Sequence, residues 1–164
     1  MTVLRYVAIA ALALWIGGLV ALGAIGAPTI FSVLELRDAV HGREIAGLVF
    51  GTIFERFQYV ALGLAAIVGA SLGARAAIGP RPRHFKARLW TVLGLLAIGV
   101  ATTFAIAPRI ESIRNSVKGP VASLPDTDPQ RVLFGRLHGA SNGLMLLTVI
   151  AGLGLLWSEA ADQH

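Results

Sequence analysis

His138, Ser141, Asn142 and Met145 fall at i, i+3, i+4 and i+7 of one segment, so a helix would set them on a single face. An imidazole, a hydroxyl, a carboxamide and a thioether in a row can hydrogen-bond a small polar ligand. The segment is otherwise apolar and carries Gly135, Gly139 and Gly143 at every fourth position, which lets a neighbouring helix come close. Polar groups within an apolar span turn towards other helices or a cavity. The face therefore predicts a small outer-side polar pocket lined by His138, Ser141 and Asn142, with Gln58, Thr102 or Thr103 across from it. Interhelical hydrogen bonding, at roughly 0.6–2 kcal/mol per contact, is the plainer use of the same groups. His138 is two residues from Arg136 and could instead snorkel to a membrane interface.

Two further residues join the candidate set. Trp15 precedes Gly17 and Gly18 near the middle of the first apolar segment, where its indole could pack on the glycines or touch a ligand. Arg136, with Glu55, Arg56, Arg109 and Glu111, would lie at the outer helix ends, as an ion-pair belt or as an anion-binding rim. A metal reading starts from His138, since imidazole and thioether suit copper. Met145, however, would stand about 10 Å from His138 by helical rise. His41 lies in a charged stretch of both signs, and His84 and His164 belong to the opposite side. A membrane haem wants a second facing histidine, and there is no c-type haem attachment motif. No P-loop, dinucleotide fingerprint, HExxH or GxSxG is present, which disfavours an enzyme.

The elements that must position these residues are apolar helices. The chain of 164 residues is 55% hydrophobic and 14% charged, against roughly 25% charged in soluble domains. Its mean hydropathy is +0.73. Residues 6–34, 57–74, 89–108 and 137–158 are uncharged runs, each long enough to cross a hydrocarbon core of about 30 Å as a helix. So short a chain could not bury four such runs in a soluble core. With no cysteine there is no disulfide or thiolate chemistry. The net charge of +5 sits in loops between the runs, which fits lipid headgroups rather than nucleic acid.

Taken in order, helix 1 is expected over about 3–31, ended or kinked at Ala27-Pro28. Helix 2 proper is expected over about 57–74, with the apolar turns before it outside the hydrocarbon. Residues 75–88 are basic (Arg75, Arg81, Arg83, Lys86 and Arg88 beside Pro80 and Pro82) and contain no acid, the best cytoplasmic loop by charge. That places both termini in the cytoplasm. The outer loops hold basic residues too, Lys118 among them, but mixed with acids. Helix 3 is expected from Leu89 to Pro108, with 109–117 as a short surface helix, and helix 4 from about Gln130 to Trp157.

A shift of 80 aligns the halves without a gap. Ala27, Pro28 and Ile30 fall on Ala107, Pro108 and Ile110, and Phe54, Arg56, Gly63 and Leu64 on Phe134, Arg136, Gly143 and Leu144. This predicts a 2+2 parallel repeat of two helical hairpins, about 3–77 and 89–158, with the Pro-ended helices crossing near the axis. Gln58, Ala61 and Leu62 then stand where the second half has His138, Ser141 and Asn142, so the polar face belongs to the second half.

Trp15-Ile16-Gly17-Gly18, Ala27-Pro28-Thr29-Ile30-Phe31, Ala107-Pro108-Arg109-Ile110 and Phe134-Gly135-Arg136-Leu137-His138-Gly139-Ala140-Ser141-Asn142 together resemble the transmembrane protein 205-like family, known in bacteria as a domain of unknown function of the DUF4149 type. The resemblance implies a four-helix integral membrane protein, in bacteria of the inner membrane, without an assigned activity. The Trp-Ile-Gly-Gly-Leu run more weakly resembles the copper resistance protein D family and the membrane-type protoporphyrinogen oxidases, whose additional histidines this chain lacks. The expectation is an all-α membrane protein forming a single four-helix domain in the lipid bilayer. Its function is read as a small-ligand binding or transport-type module. The alternatives are a packing subunit that seats a partner membrane chain or a second copy, and a haem- or copper-handling redox protein.

Overall fold

The computed structural model describes residues 2–79, 81–117 and 119–161. Pro80, Lys118 and His164, named above, lie outside them. The described chain forms four long apolar helices: α1 (Thr2–Arg37), α2 (Gly42–Ile78), α3 (Phe85–Ser116) and α4 (Pro129–Ala161). Each can span a membrane, where a continuous helix satisfies its backbone groups internally. Each also runs beyond the uncharged stretch that marks it in the sequence.

The prolines do not end their helices. Pro28 and Pro108 each lack an N–H, and each ring would press on the carbonyl four residues earlier. The backbone answers with a widened π turn just before each, at Leu22–Gly26 in α1 and Thr102–Ile106 in α3. Ala27 N–H reaches the Leu22 carbonyl and Ala107 N–H the Thr102 carbonyl, a span of five residues rather than four. Helix then resumes to Arg37 and to Ser116. The expected surface helix over 109–117 is thus the continuation of α3, and α2 is likewise unbroken from Gly42. The two π turns begin 80 residues apart (102 − 22).

Short connections force antiparallel neighbours. Between α1 and α2 the Asp38 carboxylate accepts the N–H groups of Val40 and His41, both at 2.9 Å. These bonds hold the Asp38 carboxyl below its ordinary value. Gly42 closes the turn, since a Cβ there would lie 2.1 Å from the Leu34 carbonyl oxygen. His84, at φ 54°, turns the chain into α3. Asp128 Oδ1 accepts the Gln130 N–H at 2.8 Å and Pro129 opens α4.

The helices pack in the cyclic order α1–α2–α3–α4, with α1 and α3 across one diagonal and α2 and α4 across the other. The Pro-bearing helices α1 and α3 thus lie diagonally across the bundle, each between α2 and α4. Leu12, Trp15 and Ile16 of α1 meet Ala61, Ala65 and Val68 of α2, Val92 and Leu95 of α3 and Leu155 of α4 in the core. Glycines set two close approaches. A Cβ on Gly18 would strike the Phe57 ring at 2.3 Å, and one on Gly152 would strike Ile16 at 2.1 Å.

Candidate functional site

The central cavity lies between all four helices. Trp15, Gln58, Thr102, Ser141, Met145 and Thr148 line it, with Leu19, Phe54, Leu95 and Gly99 among its apolar walls. Its free volume of about 20 Å³ suits a water molecule or a group of that size. Thr148 donates to the Leu144 carbonyl at 2.8 Å. The side chains of Gln58, Thr102 and Ser141 hydrogen-bond no other described residue. Thr103, beside Thr102 in the π turn, is 5% exposed, and its buried hydroxyl has no hydrogen-bond partner among the described residues. Tyr6, Trp90 and Trp157 are exposed at the end of the bundle that carries the termini, where interfacial aromatics belong. Trp15 is nine residues from Tyr6 and Thr102 twelve from Trp90, about 14 and 18 Å along their helices. That is about half of a bilayer's hydrocarbon thickness. Unpaired polar groups are costly at such a depth.

The structure thus brings together Trp15, Gln58, Thr102 and Ser141; Thr103 is buried but does not line the cavity. It does not bring His138, Asn142 or Arg136 to the cavity; all three are exposed. The single polar face expected on the fourth helix divides instead. Successive residues of a helix are 100° apart, so once Ser141, Met145 and Thr148 point inward Asn142 points out. His138 stacks flat on Phe134, with ring centroids 6.2 Å apart and planes 1° from parallel. Added Cβ atoms on Gly135, Gly139 and Gly143 would meet nothing within 4 Å, so no helix of this chain uses that close-packing stripe. Among the described residues no three His, Asp or Glu side chains gather where a metal could bind.

One constellation escaped the sequence reading. At the end with the termini, the Glu159 carboxylate takes Arg75 Nη1 on Oε2 at 2.5 Å and Arg88 Nη1 on Oε1 at 3.1 Å. Arg88 Nη2 also donates to the Ser158 carbonyl at 2.8 Å. Arg5 donates to the carbonyls of Glu159 and Ala160 at 3.0 and 2.9 Å. Each helix thus supplies one charged member. Arg75, Arg88 and Glu159 are 7%, 5% and 3% exposed. Arg88 Nη2 and Arg5 meet the carbonyl end of α4, the negative end of its dipole, where cations are favoured. The signal was in the sequence. Glu159 is an acid within one turn of the end of the last apolar run, while Arg75 and Arg88 flank a loop with no acid of its own.

The model of the domain of unknown function DUF4149 matches residues 10–118. The chain belongs to the DUF4149 family. It is, within that family, an all-helical integral membrane protein, and α4 with Ser141 and Met145 lies beyond the matched segment. The resemblance to the copper resistance protein D family is not shown by any comparison. No curated protein and no solved structure matches the chain.

Proposed function

We propose that this DUF4149 protein is a binding or transport-type module for a small, neutral, hydrogen-bonding solute, held at mid-membrane by Gln58, Thr102 and Ser141. The observation that carries this is the convergence of three unpartnered polar side chains on one cavity within apolar helices. A carboxamide and two hydroxyls offer both donors and acceptors, and no ionisable side chain lines the space. Trp15 forms the apolar wall, and Thr103 is buried outside the space. His138 and Arg136 lie towards the far end, and Asn142, level with the cavity, points away from it. Stopped-flow light scattering of proteoliposomes, with water, urea and glycerol as probes, tests the reading. Permeability to at least one probe should exceed that of protein-free vesicles. It should fall at least tenfold in Gln58→Leu and in Thr102→Val, each checked for unchanged helix content. Permeability equal to that of empty vesicles for all three probes would overturn it.

The topology we infer has both termini in the cytoplasm, because the exposed Arg81, Arg83 and Lys86 lie at the end with the termini without an acid among them. The π turns 80 residues apart support a duplicated hairpin, whose two-fold axis would run along the bundle through the cavity.

A second reading, a packing subunit, is favoured by the open Gly135, Gly139 and Gly143 stripe with His138 and Asn142 beside it. There the small residues would admit a helix of another chain and the polar pair would bond to it. Gly139→Leu should then abolish a cross-linked dimer or co-purifying partner while leaving the monomer folded.

A further inference from the structure

The loop between α2 and α3 carries Arg81, Arg83, His84 and Lys86, all exposed. Arg81, His84, Phe85 and Lys86 border a concave, open surface there together with Pro82. Among the described residues, the acid at this end, Glu159, is taken by Arg75 and Arg88 within the bundle. Among the described residues no carboxylate pairs with Arg81, Arg83 or Lys86. Trp90, 72% exposed, is four residues past Lys86 on α3, and Trp157, 77% exposed, marks the same end on α4. Indole rings in this position sit at headgroup level. The unpaired cations therefore stand about one to two turns beyond the edge of the hydrocarbon, at the depth of lipid phosphates.

We propose that this loop is a binding site for the phosphate headgroup of an anionic phospholipid. Charge complementarity selects the occupant: three cations with no anionic partner among the described residues stand beside a surface where anionic headgroups are the abundant counter-charge. Arg81 and Lys86 reach the phosphate from the two sides of the concavity. Phe85, half-buried between them, gives the acyl-glycerol region an apolar seat. Arg83 strengthens the field. The site is independent of the central cavity and stands whether or not a solute binds there.

The test uses the full chain in vesicles and the quenching of Trp90 fluorescence by brominated lipids, in a Trp15→Phe, Trp157→Phe background checked for unchanged helix content. Brominated phosphatidylglycerol should associate at Trp90 at least about fivefold more strongly than brominated phosphatidylcholine, the increment for one basic residue near the surface. The preference should shrink in high salt and vanish in the triple variant Arg81→Gln, Arg83→Gln, Lys86→Gln. Equal association of the two lipids in the parent protein overturns the proposal, as does a preference that survives the triple variant. Displacement of phosphatidylglycerol by millimolar inorganic phosphate at constant ionic strength would reassign the loop to a soluble phosphate and also overturn it.

Discussion

Glu159 is one carboxylate facing two guanidinium groups away from solvent, and that geometry decides what its loss does. Removing one partner of a buried ion pair leaves the others desolvated and unmatched, at about 3–5 kcal/mol. Glu159→Gln should therefore lower the thermal midpoint in detergent sharply, by more than any exposed carboxylate variant such as Glu55→Gln. Replacing Glu159, Arg75 and Arg88 together by leucine or methionine should recover most of that loss. Asp38 is a contrasting acid, partly exposed in the turn between α1 and α2. Its folded carboxyl is held down by the N–H groups of His41 and Val40. Its contribution is fully present above the ordinary carboxylate value and fades as pH falls through the lower, folded one. The protection of the Val40 and His41 amides relative to their unfolded exchange rates should accordingly hold at neutral pH and fall only in strong acid, whereas Asp38→Ala should lower it throughout. Of these two acids the sequence announces neither role. Glu159 reads as part of a polar tail because its partners lie 84 and 71 residues earlier. Gln58, Thr102 and Ser141 stand out in the sequence because polar side chains within apolar runs are rare, and the structure sets them on one cavity. His138 stands out for the same reason; by helical spacing it faces the same way as Ser141 and Met145, but it lies one turn further out along α4, where it is exposed beyond the cavity.

Helix packing here is set by where glycine permits contact. Phe57 of α2 lies over Gly18 of α1, so Gly18→Ala would need the ring to retreat and should lose about 1–3 kcal/mol, as overpacked cores do. Gly73→Ala, with open space at its Cβ, should be nearly silent in the same unfolding assay. The number, type and apolar character of the helices follow from composition alone, because nothing else in a membrane satisfies a backbone of this length. Their ends do not. Pro28 and Pro108 read as stops, since a proline within an ideal α-helix leaves a carbonyl unbonded and crowded. A π turn absorbs both faults by lengthening one turn, and no residue pattern in Leu22–Gly26 or Thr102–Ile106 advertises it. Thr102, where the widened turn begins, faces the cavity with Leu95, Ile98 and Gly99. Restoring an α turn by deleting Ala105 in a Pro108→Ala background should rotate neither flank out of register, so helix content should hold while the solute permeability proposed for the cavity falls.

At the level of the whole molecule, both described ends lie together, as Arg5 bonding to Glu159 and Ala160 shows. The absence of native cysteine makes single-cysteine labelling direct. A cysteine at Arg83 and one at Ala122 should react with an impermeant thiol reagent from opposite sides of the membrane, the former only from the cytoplasm. The cyclic helix order was not predicted by the 80-residue offset, because an offset relates the halves without saying which helices touch. The four-membered charge cluster has a consequence for biosynthesis. Arg5, Arg75 and Arg88 leave the ribosome before Glu159, so the first three helices enter the bilayer with their guanidinium groups lacking the carboxylate that later joins them. Until α4 arrives, those groups stay at the water interface and hold the early helices apart. Assembly therefore locks late, when the fourth helix delivers its carboxylate. A chain halted just short of Glu159 should insert all four helices yet be cleared by membrane proteases far faster than the intact protein.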